Sequence, residues 1–265
     1  MPEFVWSAWQ WQPVKAAADK ETVEVVSRKH ASYDHEAVVS QIHKLANAIS
    51  VVYSSPSVQD KYMKHWKQKA LEEKEAGQIM KDAPESALRV EKGAADIGLR
   101  DVIRIYQVER DYYTWPLERR MLRMNAPSIN HLCKTLFFEN TRYVPGQGDI
   151  LDPTNSKYYV VVVQYTGKLN STKLTNFVRA LSNGTKKNFN LRVASEAESD
   201  EYTGYKTGGV TPFGMARKVP IILSQAITEL APRVFFMGCG HVDWKIACPV
   251  DDFVKATGCY VVDLD

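Results

Sequence analysis

Apolar residues first recur at helical spacing behind Asp34, a residue suited to an N-cap, where Val38, Ile42, Leu45 and Ile49 follow with Glu36 in the first turn. That helix is predicted to stop before Pro56. Ser57 opens a second, in which Val58, Tyr62, Trp66 and Ala70 form a stripe amid mixed charge. The pair reads as a helical hairpin that covers a core, with a partner-binding helix as the alternative. Strand-like patterns appear at 87–90 and at 102–108, where Val102, Arg104 and Tyr106 alternate with Ile103, Ile105 and Gln107. Pro116 suits the first turn of a short helix through Met124. A strand is predicted over 132–138, and the near-continuous apolar run 158–165 reads as a strand buried on both faces.

Residues 171–181 read as a helix with Leu174, Phe177, Val178 and Leu181 inward, closed by Asn183-Gly184. A short strand at 188–193 and an acidic turn or helix at 196–201 follow. Strands are predicted at 219–223, 234–237, 244–248 and 259–262, with a last helix opened by Pro249 and ended by Gly258. Short strands with few helices between them argue for a mixed α/β, α+β-like fold: a mixed, mostly antiparallel sheet with flanking helices. Residues 1–95 are assigned to an N-terminal helical extension and 96–265 to the main domain. Within the extension, Trp6, Trp9 and Trp11 show no periodicity and read as an arm that docks onto the body.

With 265 residues, 45% hydrophobic and 25% charged, the chain has the composition of a soluble globular protein. No apolar run approaches the ~18 residues that cross a bilayer, and the start Met-Pro-Glu-Phe-Val-Trp lacks the basic and apolar regions of a secretory signal. A cytoplasmic location without membrane contact is expected. Cys133, Cys239, Cys248 and Cys259 show no C-x-x-C pair, as in reduced thiols. Cys239 and His241 are two conceivable metal ligands without a visible third, so neither a metal nor another cofactor is expected. The net charge of +3 is unevenly spread. Residues 153–195 hold Lys157, Lys168, Lys173, Arg179, Lys186, Lys187 and Arg192 and not one acid. Converging on one face, they would make a phosphate-tracking patch, and scattered they would be solvated surface.

Two stretches carry candidate chemistry. Residues 202–214, Tyr-Thr-Gly-Tyr-Lys-Thr-Gly-Gly-Val-Thr-Pro-Phe-Gly, hold four glycines and one proline in thirteen residues. Gly208 and Gly209 allow close approach to bare amides while Pro212 stiffens the far side, so the loop reads as an oxygen cradle or as a surface turn. On a period of two, Lys134 shares a strand face with Leu132, Leu136 and Phe138. An ammonium among apolar neighbours meets an anion, lowers its pKa, or snorkels past the sheet edge. Cys133 is turned to the opposite face.

The segment Thr203-Gly204 with Gly208-Gly209-Val210-Thr211-Pro212-Phe213-Gly214 resembles the Gly-x-x-x-Pro loop of the YbaK/prolyl-tRNA synthetase-associated editing domain family. Residues 131–140, His-Leu-Cys-Lys-Thr-Leu-Phe-Phe-Glu-Asn, are similar to the strand on which that family carries its functional lysine. The resemblance spans 103–265, and the block 111–120 is similar to one in a eukaryotic branch of the family. It implies a trans-editing aminoacyl-tRNA deacylase, with Lys134, Gly208, Gly209 and Pro212 at the chemistry. Thr203, Gly204, Val210, Thr211, Gly238, Gly240 and His241 are then expected at the substrate, although a turn histidine of purely structural role fits His241 equally. The nucleophile would be water or a group of the substrate. Implied partners are mischarged tRNA and a synthetase or synthetase complex. A non-catalytic tRNA-binding or complex-docking module and a small-molecule ester or thioester hydrolase are the alternatives. No Ser-His-Asp order, nucleophile elbow or P-loop is present.

Overall fold

Six consecutive residues from Tyr158 to Val163 are each at most 3% exposed. On a period of two, Tyr158, Val160 and Val162 enter one core while Tyr159, Val161 and Val163 enter another, so this strand is the partition between the two. The computed structural model describes residues 35–76, 80–144, 152, 154–181 and 188–265. The tryptophan arm, the loop 145–151, and Lys186 and Lys187 therefore lie outside the described residues.

Among these residues the strands are β1 (Arg104–Gln107), β2 (Cys133–Asn140), β3 (Tyr158–Gln164), β4 (Leu191–Val193), β5 (Ile221–Ser224), β6 (Val234–Gly238), β7 (Trp244–Pro249) and β8 (Tyr260–Val262). One sheet runs β1-β7-β6 and is antiparallel throughout. The other runs β4-β2-β3-β5-β8, antiparallel around β2 and parallel from β3 to β8. A single parallel bridge, Leu132 to Phe236, joins them where β2 begins beside β6. The sheet is thus mixed, as the short strands imply.

The helices are α1 (His35–Tyr53), α2 (Pro56–Ala76), α3 (Glu85–Asp96), α4 (Leu117–Met124), α5 (Ser171–Leu181), α6 (Glu196–Thr203), α7 (Gln225–Thr228) and α8 (Val250–Thr257). The first two form the expected hairpin, with Pro56 as the first residue of α2. In α1, Ile42 and Ala46 face the body, while Val38 and Leu45 are exposed. Trp66 and Ala70 of α2 are buried, and the Trp66 indole donates to the Val102 carbonyl at 2.8 Å. The strand expected at 87–90 is instead the heart of α3. Ala87, Val90 and Ala94 recur at three- and four-residue spacing and are each 0% exposed, so a buried helical face overrides the local alternation. Because these residues belong to the main core, packing of the body begins before residue 96. Residues 36–265 form one compact unit. Pro249 lies one position ahead of the last helix, as its N-cap, and Gly258 closes that helix at φ 60°.

Candidate functional site

Strand β2 is paired with β3 along its whole length, but on its other edge β4 covers only Phe138 to Asn140. At its start, Leu132 touches β6. Between these ends the outer edge of residues 133–137 is in no strand ladder among the described residues, although β6 runs close by, with Met237 4.0 Å from the Thr135 hydroxyl. The Phe137 carbonyl accepts from the Ala194 amide at 2.9 Å on that edge, while the Leu132 carbonyl faces β3 and accepts from the Tyr165 amide. Main-chain groups alternate along a strand, so the peptide groups of Thr135 face the gap.

The gap opens into a cavity of about 580 Å³. Its floor is Cys133, Lys134, Thr135, Leu136 and Phe137, and one wall is Val193, Ala194, Glu196 and Ser199. A second wall, joined to the first where Thr207 meets Glu196, is Thr207, Gly208, Val210, Gly238 and Val242, and Tyr113 and Tyr165 complete the lining. Both faces of β2 reach this space because it lies along the strand's edge. The Lys134 ammonium stands 5.7 Å from the centre of the Tyr165 ring, so the apolar-face lysine meets an aromatic face and an open cavity. Cys133 also borders the cavity, but burial pushes its thiol well above the usual range.

Two of the three residues expected in the glycine loop lie behind the cavity wall. Gly208, at φ 85°, lines the cavity, and its carbonyl accepts from the Tyr113 hydroxyl at 2.7 Å. The Gly209 amide is committed to the Lys206 carbonyl at 2.9 Å and the Gly209 carbonyl to the Gly240 amide at 2.8 Å. A Cβ on Gly209 would stand 2.7 Å from the Gly240 backbone, which explains why glycine occupies this position. Pro212 is buried outside the cavity lining. The ring of bare amides expected from composition is therefore reduced to the Gly208 side, because the turn uses Gly209 internally.

Among the residues expected at substrate, Val210 and Gly238 line the cavity. Thr203 and Gly204 instead finish α6. The Thr203 hydroxyl donates to the Ser199 carbonyl at 2.7 Å, and Gly204 is the left-handed cap at φ 72° whose carbonyl accepts from Arg89 at 2.6 Å. Thr211 is fully buried. Gly240 is in the layer behind Gly209, against Ser86 of α3. His241 is partly exposed outside the lining, and its Nδ1 accepts from the Asp243 amide at 3.2 Å.

At the tyrosine end, Arg120 of α4 donates to the carbonyls of Tyr113 and Trp115 and lies 5.3 Å from the Tyr113 ring and 5.6 Å from the Tyr165 ring. Lys245 of β7 is 4% exposed and 4.5 Å from the centre of the Tyr113 ring, and it donates to the Val242 carbonyl at 2.7 Å. Burial pushes its ammonium pKa down to about 8. Tyr113 thus has two cations near its ring while its hydroxyl donates to the glycine turn.

Among the described residues, the cations of the acid-free segment do not gather into a single patch. Lys157 and Arg192 both reach Glu139, at 3.5 and 3.0 Å, and that carboxylate is nearly buried. Lys173 is paired with Asp263 at 2.7 Å. Lys168 and Lys173 lie beyond the opposite end of β3 from Lys157, a strand about 20 Å long, and Arg179 is in the last turns of α5. Acids from outside the segment neutralise much of what the sequence count leaves positive.

The profile of the aminoacyl-tRNA editing domain family matches residues 120–256. The chain belongs to that family. Two solved structures are similar to this editing domain. One, described as a candidate trans-editing enzyme for prolyl tRNA synthetase, is 20% identical with a TM-score of 0.55, covering 69% of this chain and 99% of its own. The other, from work on epitope backbone grafting onto scaffold proteins, is 16% identical with a TM-score of 0.54, covering 69% of this chain and 97% of its own. At these identities the likeness is one of fold. No curated protein matches. Several cavity residues of the editing domain carried no signal in the sequence: Tyr165, Glu196, Ser199 and Thr207 are ordinary surface types, and Tyr113 lies ahead of the family match. Only pairing with Gly208 reveals Tyr113, across 95 positions.

Proposed function

We propose that the chain is a free-standing trans-editing deacylase that hydrolyses the ester between a wrongly attached amino acid and the 3′ end of a tRNA. The observation that supports this reading is that Lys134 and Gly208 line one cavity, together with membership of the editing-domain family. Water adds to the ester carbonyl, the bond to the ribose oxygen breaks, and that oxygen leaves with a proton as the free hydroxyl, releasing the amino acid. In this step Lys134 holds the anionic nucleotide end and acts as neither base nor nucleophile. Charge that develops on the carbonyl oxygen requires preorganised donors. With the Gly209 amide occupied within its turn, the amide of Thr135 on the unpaired edge of β2 takes that part beside Gly208.

Mischarged tRNA is the partner in this reading, and a synthetase or synthetase complex in the cytoplasm is the source of the substrate. The test is release of amino acid from a panel of mischarged tRNAs. Lys134→Ala is expected to lower kcat/KM by about 100-fold or more, the loss typical when one charged anchor is removed. Unchanged turnover in that variant removes Lys134 from the mechanism.

A further inference from the structure

Among the residues that line the cavity, Lys134 and Glu196 are the two that carry formal charge, and their signs are opposite. Glu196 opens α6 on the wall that ends in Ser199, and its Oε1 accepts from the Thr207 hydroxyl of the glycine turn at 3.1 Å. The other acids of α6 are paired: Glu198 with Lys157 and with Ser195 of its capping box, Asp200 with Lys206, and Glu201 with Arg217. Glu196 has no cation within 4 Å among the described residues, and Lys206, which feels its charge, has its ammonium on Asp200. A carboxylate at a cavity wall whose partner is a neutral hydroxyl retains acceptor capacity for a cation brought by a ligand.

We infer that Glu196 receives the free α-ammonium of the aminoacyl group, which makes the site selective for esters of unblocked amino acids over N-acylated ones. The inference rests on the deacylase reading for its substrate. An aminoacylated nucleotide end carries a phosphate anion and an ammonium on opposite sides of its ester. A cavity with a cation on its floor and a carboxylate on its wall matches that polarity and fixes which way the ester enters. Thr207 holds the Glu196 carboxylate against the glycine turn, so the ammonium's receptor is tied to the same loop that faces the scissile carbonyl. A blocked amine loses its charge and brings an acyl group toward Glu196 instead.

The test uses the full chain and three amide-linked probes that cannot be hydrolysed: 3′-alanylamino-3′-deoxyadenosine 5′-phosphate, its N-acetyl derivative, and its propionyl counterpart lacking the amine. Equilibrium binding of the alanyl probe is expected to be at least about fivefold tighter than that of the propionyl probe, the scale of one partly solvated ion pair. The N-acetyl probe should be weaker still. Glu196→Gln keeps the acceptor for Thr207 and removes the charge, so it should erase the alanyl preference while leaving propionyl binding unchanged. Equal binding of alanyl and propionyl probes by the natural protein, a preference that survives Glu196→Gln, or no binding of any probe overturns the inference. If the alanyl preference is found and lost as expected, yet no mischarged tRNA is turned over, the deacylase reading falls while the assignment of Glu196 stands.

Discussion

At the scale of single residues, Tyr113 has the most consequential contact outside the family-matched span. Its hydroxyl is the donor to the Gly208 carbonyl, and its ring is held by Arg120 and Lys245. Tyr113→Phe leaves the ring in place and frees the glycine turn from its tether. Stability is expected to fall by about 1 kcal/mol, the usual worth of one such bond. The kcat/KM for mischarged tRNA should fall by about tenfold as the turn loses its fixed position. Denaturant titration together with steady-state kinetics checks both, and an unchanged kcat/KM would mean that the turn's links to Gly240 and Glu196 hold it without Tyr113. Lys134 was legible in the sequence because a cation among alternating apolar residues breaks the pattern of its strand. Tyr113 was not, since one more aromatic in a segment with several gives no hint of a partner far along the chain.

At the scale of elements, the glycine loop depends on α3. Gly93 packs on the backbone of Gly214 so closely that a Cβ would collide with its amide nitrogen, and Arg89, one turn earlier, binds the Gly204 carbonyl and lies 4.4 Å above the Tyr205 ring. The helix therefore braces both ends of the stretch 204–214. Gly93→Ala raises helix propensity yet forces backbone apart, so it is expected to destabilise the protein by about 2–4 kcal/mol. A thermal unfolding curve would reveal this, and a stabilised variant would show that α3 moves aside without consequence. The helical period of α3 was hidden by the β-compatible order Ala-Leu-Arg-Val at 87–90, where alternation and a three-to-four repeat coincide over so short a window. Elements with long, strongly patterned runs, α5 and β3 above all, fell where the sequence put them, because there one period has no competitor.

For the whole molecule, charge and burial set the response to pH. Lys245 has its pKa pushed from 10.5 down to about 8 by burial, so between those values the unfolded chain holds a proton that the folded one has released. Stability contributed by this residue therefore rises with pH across that window. The buried thiols of Cys133, Cys239 and Cys248 act in the opposite sense, since burial raises them and unfolding lets them ionise. The effect is isolated by difference: the stability of the natural protein relative to Lys245→Met should increase from pH 8 to pH 10 in chemical denaturation. Parallel curves would show that the ammonium is not desolvated in the folded state. The sequence count of charge, by contrast, was a poor guide to the surface, because Glu139 and Asp263, remote in the chain, fold back onto Lys157, Arg192 and Lys173.

An uncovered sheet margin is ordinarily a hazard, since a neighbour's extended chain can zip onto it and seed polymers. Here the margin of β2 spans only residues 133–137 and is stopped at one end by β4 and at the other by β6. A peptide would find too few rungs between those stops, whereas a compact guest needing one or two fits. The fold thus keeps hydrogen-bonding backbone on offer while refusing the partner that would normally claim it.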